Sequence, residues 1–388
     1  MVNWEATYRV TTPMFAGGAK PESNAELRPT SIKGLLRFWF RAAALPQLES
    51  WQAVQKAESE LFGSTEGQAG FYLAVVNRQG LNQEQAEHNW RRWPGIVYLG
   101  YGVIDHRGGV LRPYIKQRGT FTLQLVLKKK VKPEYRALLS SALKAFGFFG
   151  ALGARSRKGF GSLSLESLRI DGEETCKLPR NSSELRDQMR ELLAEINLDR
   201  DGSSMPEYTA FSPLVKVFIA RTGRDPLQLL DETGRELLRY RSYGHKGINM
   251  DIHTLPWGEG AEQNFAGDHD LILDFIRGRL QKPRAHPRRV VFGLPHNYFF
   301  LSAGQKADIE AENHKRRASP LFIHIHALAT GEYAAVLSLL PAVFLPEGER
   351  VKISDGGPHV LVDCRVNYKD IEDFFTRPSF QNKVVVWP

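Results

Sequence analysis

Residues 153–163 read "GARSRKGFGSL", with Arg155, Arg157 and Lys158 set among Gly153, Gly159 and Gly161. Five glycines fall from Gly147 to Gly161. Such a segment reaches backbone conformations closed to other residues and can turn N–H groups toward an anion. Its guanidinium groups fork onto phosphate oxygens. What flanks it fixes its place in a fold. Before it, "PEYRALLSSALKAFGFF" starts at Pro133, suited to a helix N-terminus; after it, "FGSLSLESLRI" alternates as a half-buried strand. The loop is therefore a helix-to-strand joint. It is not a nucleotide P-loop, because no Gly-Lys-Ser/Thr follows, and not a dinucleotide fingerprint, because a strand rather than a helix comes next.

Working outward, "WEATYRV" alternates Trp4, Ala6, Tyr8 and Val10 against polar residues, and "FYLAVVN", "GIVYLGYGVI" and "TFTLQLVLK" read as further strands. "RPTSIKGLLRFWFRAAAL" reads as a helix capped by Thr30 or Ser31 and running to about Ala44. Strands separated by two helices predict a βαββαβ ferredoxin-like unit with an antiparallel sheet in residues 1–175. Residues 176–206 hold one polar helix between Ser/Asn/Gly-rich flanks and read as a connector. Residues 207–388 repeat the element order: strands at "FSPLVKVFIA", "RRVVFGL", "PLFIHIHAL" and "YAAVLSLLPAVFL", helices at "DPLQLLDETGRELLRYR", "GDHDLILDFIRGRL" and "KDIEDFFTR", and a closing strand "KVVVWP". The expected fold class is α+β, two tandem ferredoxin-like (RRM-like) domains.

At 388 residues two domains are the default, and 42% hydrophobic with 24% charged residues suits a sizeable core. No apolar run approaches the ~20 residues that span a bilayer, and "MVNWEATYRV" lacks a signal-peptide layout. Cys176 and Cys364 are too few and too far apart for a disulfide framework or a cysteine zinc site. A cytoplasmic location is expected. The 52 basic against 43 acidic residues give a net charge of +9 and a pI near 9.4, which points toward nucleic acid. The basic residues concentrate at 28–41, 155–158, 277–289 and 314–317.

In the first helix Lys33, Arg37 and Arg41 follow at i, i+4 and i+8 and stack on one face. Three like charges there repel one another, and a negative partner would relieve them. Gly34 beside them would let another backbone approach closely. In the second half "HKRRASPLFIHI" holds Arg316 and Arg317, and "KPRAHPRR" holds Lys282, Arg284, Arg288 and Arg289. "RYRSYGHKG" interleaves Arg239, Arg241 and Lys246 with Tyr240 and Tyr243, a mixture suited to single-stranded nucleic acid. Lys158-Gly159-Phe160-Gly161 coincides with the first half of an RNP1 signature, but Ser162 and Leu165 stand where stacking aromatics belong. Catalytic signals are weak. His269-Asp270 lacks further ligands, His324 and His326 share a strand face without an evident third ligand, and His106 beside Gly108 is a lone candidate base.

Five blocks together, "TPMF" at 12–15 followed by Gly17-Gly18, "ELRPTSIKGLLRFWFRA" at 26–42, "GARSRKGFGSL", "FGLP" at 292–295 and "RRASPL" at 316–321, resemble the RAMP superfamily of CRISPR systems, and within it the type III-B (Cmr) branch. The resemblance implies two ferredoxin-like domains and a non-catalytic subunit, with no metal or cofactor, that holds guide RNA toward its 3′ end. Its implied partners are CRISPR guide RNA, target RNA and other RAMP subunits, with no membrane. It carries RNA contacts onto Arg28, Ser31, Lys33, Arg37 and Arg41 in the first helix. In the loop it carries them onto Arg155, Ser156, Arg157, Lys158, Gly159 and Phe160, and in the second half onto Arg316, Arg317 and Ser319. Two rivals are a metal-independent repeat-processing endoribonuclease, with His106 as base, and a scaffold that binds only proteins.

Overall fold

A computed structural model describes residues 2–48, 50–84, 90–198, 204–246, 252–300 and 304–388, so residues 199–203 of the expected connector lie outside the described residues. The first half runs β1 (Val2–Val10), α1 (Pro29–Leu48), α2 (Trp51–Phe62), β2 (Phe71–Gln79), β3 (Gln83–Glu84), α3 (Pro94–Leu99), β4 (Tyr114–Ile115), β5 (Thr120–Leu127), α4 (Pro133–Phe148), β6 (Leu163–Ile170) and β7 (Glu173–Lys177). Trp4, Ala6, Tyr8 and Val10 are the buried face of β1, as its alternation predicts. The main sheet is antiparallel in the order β2-β5-β1-β6-β7, and β3 pairs with β4.

The second half continues α5 (Ser182–Glu195), β8 (Lys216–Gly223), α6 (Pro226–Arg241), β9 (His245–Lys246), β10 (His253–Thr254), α7 (Ala266–Ile276), β11 (His296–Phe300), β12 (Gln305–Ala311), β13 (Leu321–Ala327), β14 (Tyr333–Leu339), β15 (Arg350–Ser354), β16 (Val360–Asp363), α8 (Lys369–Phe375) and β17 (Val384–Trp387). One antiparallel sheet runs β13-β14-β8-β17. The two main sheets share a plan: taking β1, β2, β5, β6 and β8, β13, β14, β17 as first to fourth strands, both read second-third-first-fourth in space. A further sheet, β11-β12-β15-β16, is built from segments inserted on either side of β13 and β14.

Two sequence expectations are corrected. Residues 95–104 are not a strand: Pro94 opens α3, and the buried Asp231 carboxylate of α6 accepts from the N–H groups of Gly95 and Ile96. Any side chain on Gly95 or Gly234 would collide with the other helix's backbone, so tertiary packing settled an apolar run whose periodicity was ambiguous. "RRVVFGL" is a 3-10 turn, Arg288–Phe292, because Asp268 accepts from the Arg288 and Arg289 N–H groups. The polar helix expected in 176–206 is α5, and it buries Leu185, Met189, Leu192 and Leu193 in the main core.

That core does not respect the midpoint of the chain. Phe322, Ala334, Val336 and Val386 pack with Trp39, Phe149 and Leu165, while Phe15, Trp90, Ile96 and Phe160 pack with Leu230, Ile323 and Leu337. β13 is an edge strand, and an open edge invites wrong pairing. Here the first half covers it. Thr11 Oγ1 donates to Ile325 O at 2.5 Å, Ser162 Oγ accepts from Ile325 N at 3.1 Å, Ser164 Oγ accepts from Ala327 N at 2.7 Å, and Arg157 O accepts from Ile323 N at 3.1 Å. The glycine-rich loop thus lies in the seam between the halves.

Candidate nucleic-acid interface

The basic stripe of α1 turns toward α2. Lys33 Nζ lies 5.8 Å from the Phe71 ring centre and the Arg37 guanidinium 5.4 Å from that of Phe62. Arg37 and Arg41 both donate to Glu58 Oε1, at 2.9 and 3.0 Å, and Arg37 Nη2 also donates to the carbonyls of Phe62 and Gly63. Those carbonyls end α2, where a helix lacks internal donors. The negative partner that the stripe called for is therefore Glu58, in the same chain. Desolvation, and then the Arg37 charge, pulls the Lys33 ammonium below its usual pKa.

What α1 shows the loop is its neighbouring face. The Phe38 ring lies under the Arg157 guanidinium at 5.3 Å. Ser31 and Gly34, on the same side, are exposed. Beyond its own turn of helix, no atom of the described residues lies within 4 Å of where a Gly34 side chain would begin, so the space above it is open. Arg28, just before the helix, is half-buried, and its Nε has no hydrogen-bond partner among the described residues.

The loop's glycines serve packing. Gly159 has φ +85°, and an added Cβ would sit 2.5 Å from Leu230 of α6; Gly161 has φ +65°, and an added Cβ would fall onto the Leu152 carbonyl. Phe160 is fully buried, 5.5 Å from Phe15 and stacked on Trp90 at 6.1 Å, so its ring is closed to a base. The cations remain. Arg155, at φ +61°, lies at the rim with its guanidinium 5.8 Å from the Tyr101 ring, which is 72% exposed. Its pKa is lowered by desolvation first, with Arg112 and Arg316 adding like charge. Arg157 stacks on Phe322 at 4.5 Å and donates to Ser319 O at 2.6 Å. Burial, then the charge of Arg317, brings it down to about 9. The Lys158 Nζ is buried and has no hydrogen-bond partner among the described residues.

Two further sequence blocks close the same cleft. Leu294 and Arg317 exchange backbone hydrogen bonds at 2.8 and 3.0 Å, which sets "FGLP" against "RRASPL". Arg316 is exposed and Arg317 half-buried over Phe344. Ser319 is buried, its Oγ accepting from Leu321 N, so its role is to hold the segment rather than meet a ligand. Sequence reasoning left Arg241 unassigned within its cluster and passed over Tyr98, Tyr101 and Arg112. Arg241 Nη1 donates to Tyr98 Oη at 2.9 Å, and its guanidinium covers Phe292 at 4.4 Å. Only the loop's excess charge could have hinted at them, because their positions depend on α3, which the sequence reads as strand.

Several members of the other basic clusters are spent inside the chain. Arg239 bonds Glu236 and Glu259, Arg288 pairs with Asp370, Tyr240 is buried and donates to Asp370 O, and Tyr243 stacks on His269 at 3.7 Å. His324 and His326 are buried together, Nε2 to Nδ1 3.3 Å. Among the described residues no group of three or more His, Cys, Asp or Glu could hold a metal ion. His106 is exposed on a turn that Asp105 ties together by accepting from Arg107 N and Gly109 N. No described helix is long and apolar enough to cross a membrane.

An α/β protein of antiparallel sheets with a cationic loop in the seam between its halves matches a known family model: the RAMP superfamily model covers residues 7–164. Over those residues the chain is similar to the RAMP superfamily. It is also similar to the CRISPR system Cmr subunit Cmr1-1 of Pyrococcus furiosus, 24% identical over 332 residues that make up 85% of each chain. A second Pyrococcus furiosus protein, Cmr1-2, is 29% identical over 41% of this chain and 92% of its own. In fold the chain is similar to crystalline apo Cmr1 from Pyrococcus furiosus, with TM-score 0.57, 18% identity and coverage of 100% and 99%. It is also similar to a chain of the type III-B Cmr-beta complex bound to cognate target RNA, with TM-score 0.52, 13% identity and coverage of 96% and 98%.

Proposed function

We propose that this chain is a non-catalytic subunit of a cytoplasmic type III-B CRISPR effector and holds single-stranded guide RNA, toward its 3′ end, by phosphate contacts in the seam cleft. Other RAMP subunits and target RNA are its further partners. The shared strand order supports two ferredoxin-like domains, 1–175 and 207–388, with 176–206 between them. One observation carries the proposal. Blocks far apart in sequence converge on one cleft, where none of Arg155, Arg157, Lys158, Arg241, Arg316 and Arg317 is ion-paired with a carboxylate among the described residues. Elsewhere the protein neutralises its arginines readily, so the unpaired set reads as held for an external polyanion. Ser31, Ser156, Arg155 and Arg316 at the rim and Arg28 beside it meet the strand. Gly159, Phe160 and Ser319 shape the walls, while Lys33, Arg37 and Arg41 brace the other face of α1 against α2 and Phe71. Contacts of this kind fix register without reading sequence.

The test is single-stranded RNA binding across a salt series, with cleavage followed in the same samples. Replacing Arg155 and Arg316 together with Ala lowers the slope of log affinity against log salt by roughly 0.7 per lost contact, about 1.4 in all, and the RNA stays intact. An unchanged slope would remove the strand from this cleft, and cut RNA would make the chain an enzyme.

A further inference from the structure

The cleft has a floor as well as a rim, and the floor is chemically unfinished. Lys158 turns inward beneath Arg155 and Arg157, and its Nζ is shut off from solvent without an acceptor among the described residues. Arg241 exerts the largest of the like-charge effects that act on it, ahead of Arg155 and Arg157. Arg241 itself has one nitrogen bound to Tyr98 Oη, while its Nε is buried without a partner. Buried polar groups are nearly always satisfied, and a buried ammonium without a partner is costly. The chain supplied carboxylates for Arg37, Arg239 and Arg288, and none for this pair. Two orphaned donors of one sign, with a guanidinium as well as an ammonium, match the oxygens of a tetrahedral phosphate anion.

We propose that Lys158 and Arg241 form a site for a single phosphate group at the floor of the cleft, and that filling it brings one proton onto Lys158. This rests on the cleft being the RNA site and goes further: one phosphate of the bound partner is gripped deeply, where the rim contacts are shallow and interchangeable. The surroundings support the proton. Burial, then the charges of Arg241, Arg155 and Arg157, holds Lys158 down to about 7, and an arriving phosphate or sulfate anion opposes that bias. Arg155 also faces Arg112 and Arg316, and Arg241 lies near His296, so the local field is positive from every packed element.

Inorganic sulfate is the probe, because it stays dianionic while the protein titrates. Calorimetry on the full chain, in two buffers of different ionisation heat, counts both sites and protons. One saturable site is expected, taking up about 0.9 proton at pH 8 and about 0.1 at pH 6 for a group near 7. Lys158→Met weakens sulfate at least tenfold. Lys158→Arg keeps the site but takes up no proton, because a guanidinium is already charged; it also guards against loss through misfolding. Weak, unsaturable binding, or a site untouched in Lys158→Met, overturns the proposal. Displacement of sulfate by single-stranded RNA assigns the site to strand phosphate; simultaneous binding assigns it to a free anion. The two ideas fail separately. RNA binding with the expected rim dependence but no sulfate site refutes only the floor, and a sulfate site with no RNA binding refutes only the cleft.

Discussion

Two basic runs of nearly equal charge, Lys33-Arg37-Arg41 in α1 and Arg155-Arg157-Lys158 in the glycine loop, are treated in opposite ways by the fold. The first is answered inside the chain: two of its members share Glu58, and Arg37 also caps the open carbonyls at the end of α2. The second meets more cations, Arg112, Arg241, Arg316 and Arg317, and no described carboxylate. Charge spacing on a helix says that neighbours repel; it does not say who relieves them. Where the partner is a carboxylate of the same fold, the cations are struts. Where it is missing from the fold, they are left for an external anion, which is the proposed role of the seam.

The largest way to break this contrast is to take Glu58 away. It is 8% exposed and serves two guanidinium groups. Glu58→Ala should cost about 2–3 kcal/mol, since removing one partner leaves half-buried charge uncompensated. Denaturant midpoints would show this, and the salt slope of RNA binding should not move. A slope that steepens would mean that the freed Arg37 and Arg41 reach the RNA, turning struts into site residues.

A second effect, which grows only in acid, sharpens the contrast at the same seam, where basic groups are kept neutral. His324 and His326 lie together under Phe148 on β13, the strand that joins the halves. Burial drives His324 down to about 3 and His326 well below its usual value. Unfolded histidine titrates near 6.5, so below that pH the unfolded chain binds more protons than the folded one. Stability is whole above about pH 6.5 and falls as pH drops toward 3, by up to ~1.4 kcal/mol per pH unit for each histidine. Replacing both with Gln should flatten that acid limb in chemical denaturation between pH 4 and 7. An equally steep limb in the variant would assign the acid sensitivity to carboxylates elsewhere.

Much of the architecture was legible because it rests on local periodicity. β1, β5, β6, α4, α6 and α8 all stand where alternation or helical spacing sets them. What was illegible depends on partners far away in sequence. α3 needs Asp231 to cap it and Gly234 to receive it, across more than a hundred positions. The sheet β11-β12-β15-β16 is assembled from two separate insertions. The site divides the same way. Arg155, Arg316 and the loop could be named from composition, whereas the inward turn of Phe160 and the recruitment of Arg241 follow from packing against Trp90 and Tyr98. A glycine-rich basic loop reads equally well as ligand-facing or core-facing, and here alternate residues do both.

The smallest expected effect is also the cleanest discriminator. Lys33 shares a helix face with Arg37 and Arg41 but lacks their carboxylate; its stem and ammonium rest on Phe71 instead. Lys33→Met keeps the apolar stem on that ring and removes one repulsion with Arg37, two small and opposed changes. Stability should therefore shift by no more than about 0.5 kcal/mol in either direction, and the RNA salt slope should be unchanged. The matched replacement Arg155→Met should lower the slope by roughly 0.7 with as little effect on stability. Both variants remove one positive charge from the same net +9, so diffuse attraction falls equally in each and any difference reports position. Equal loss of slope would place the strand along α1 and α2 as well as in the seam, and the two basic regions would then be one surface.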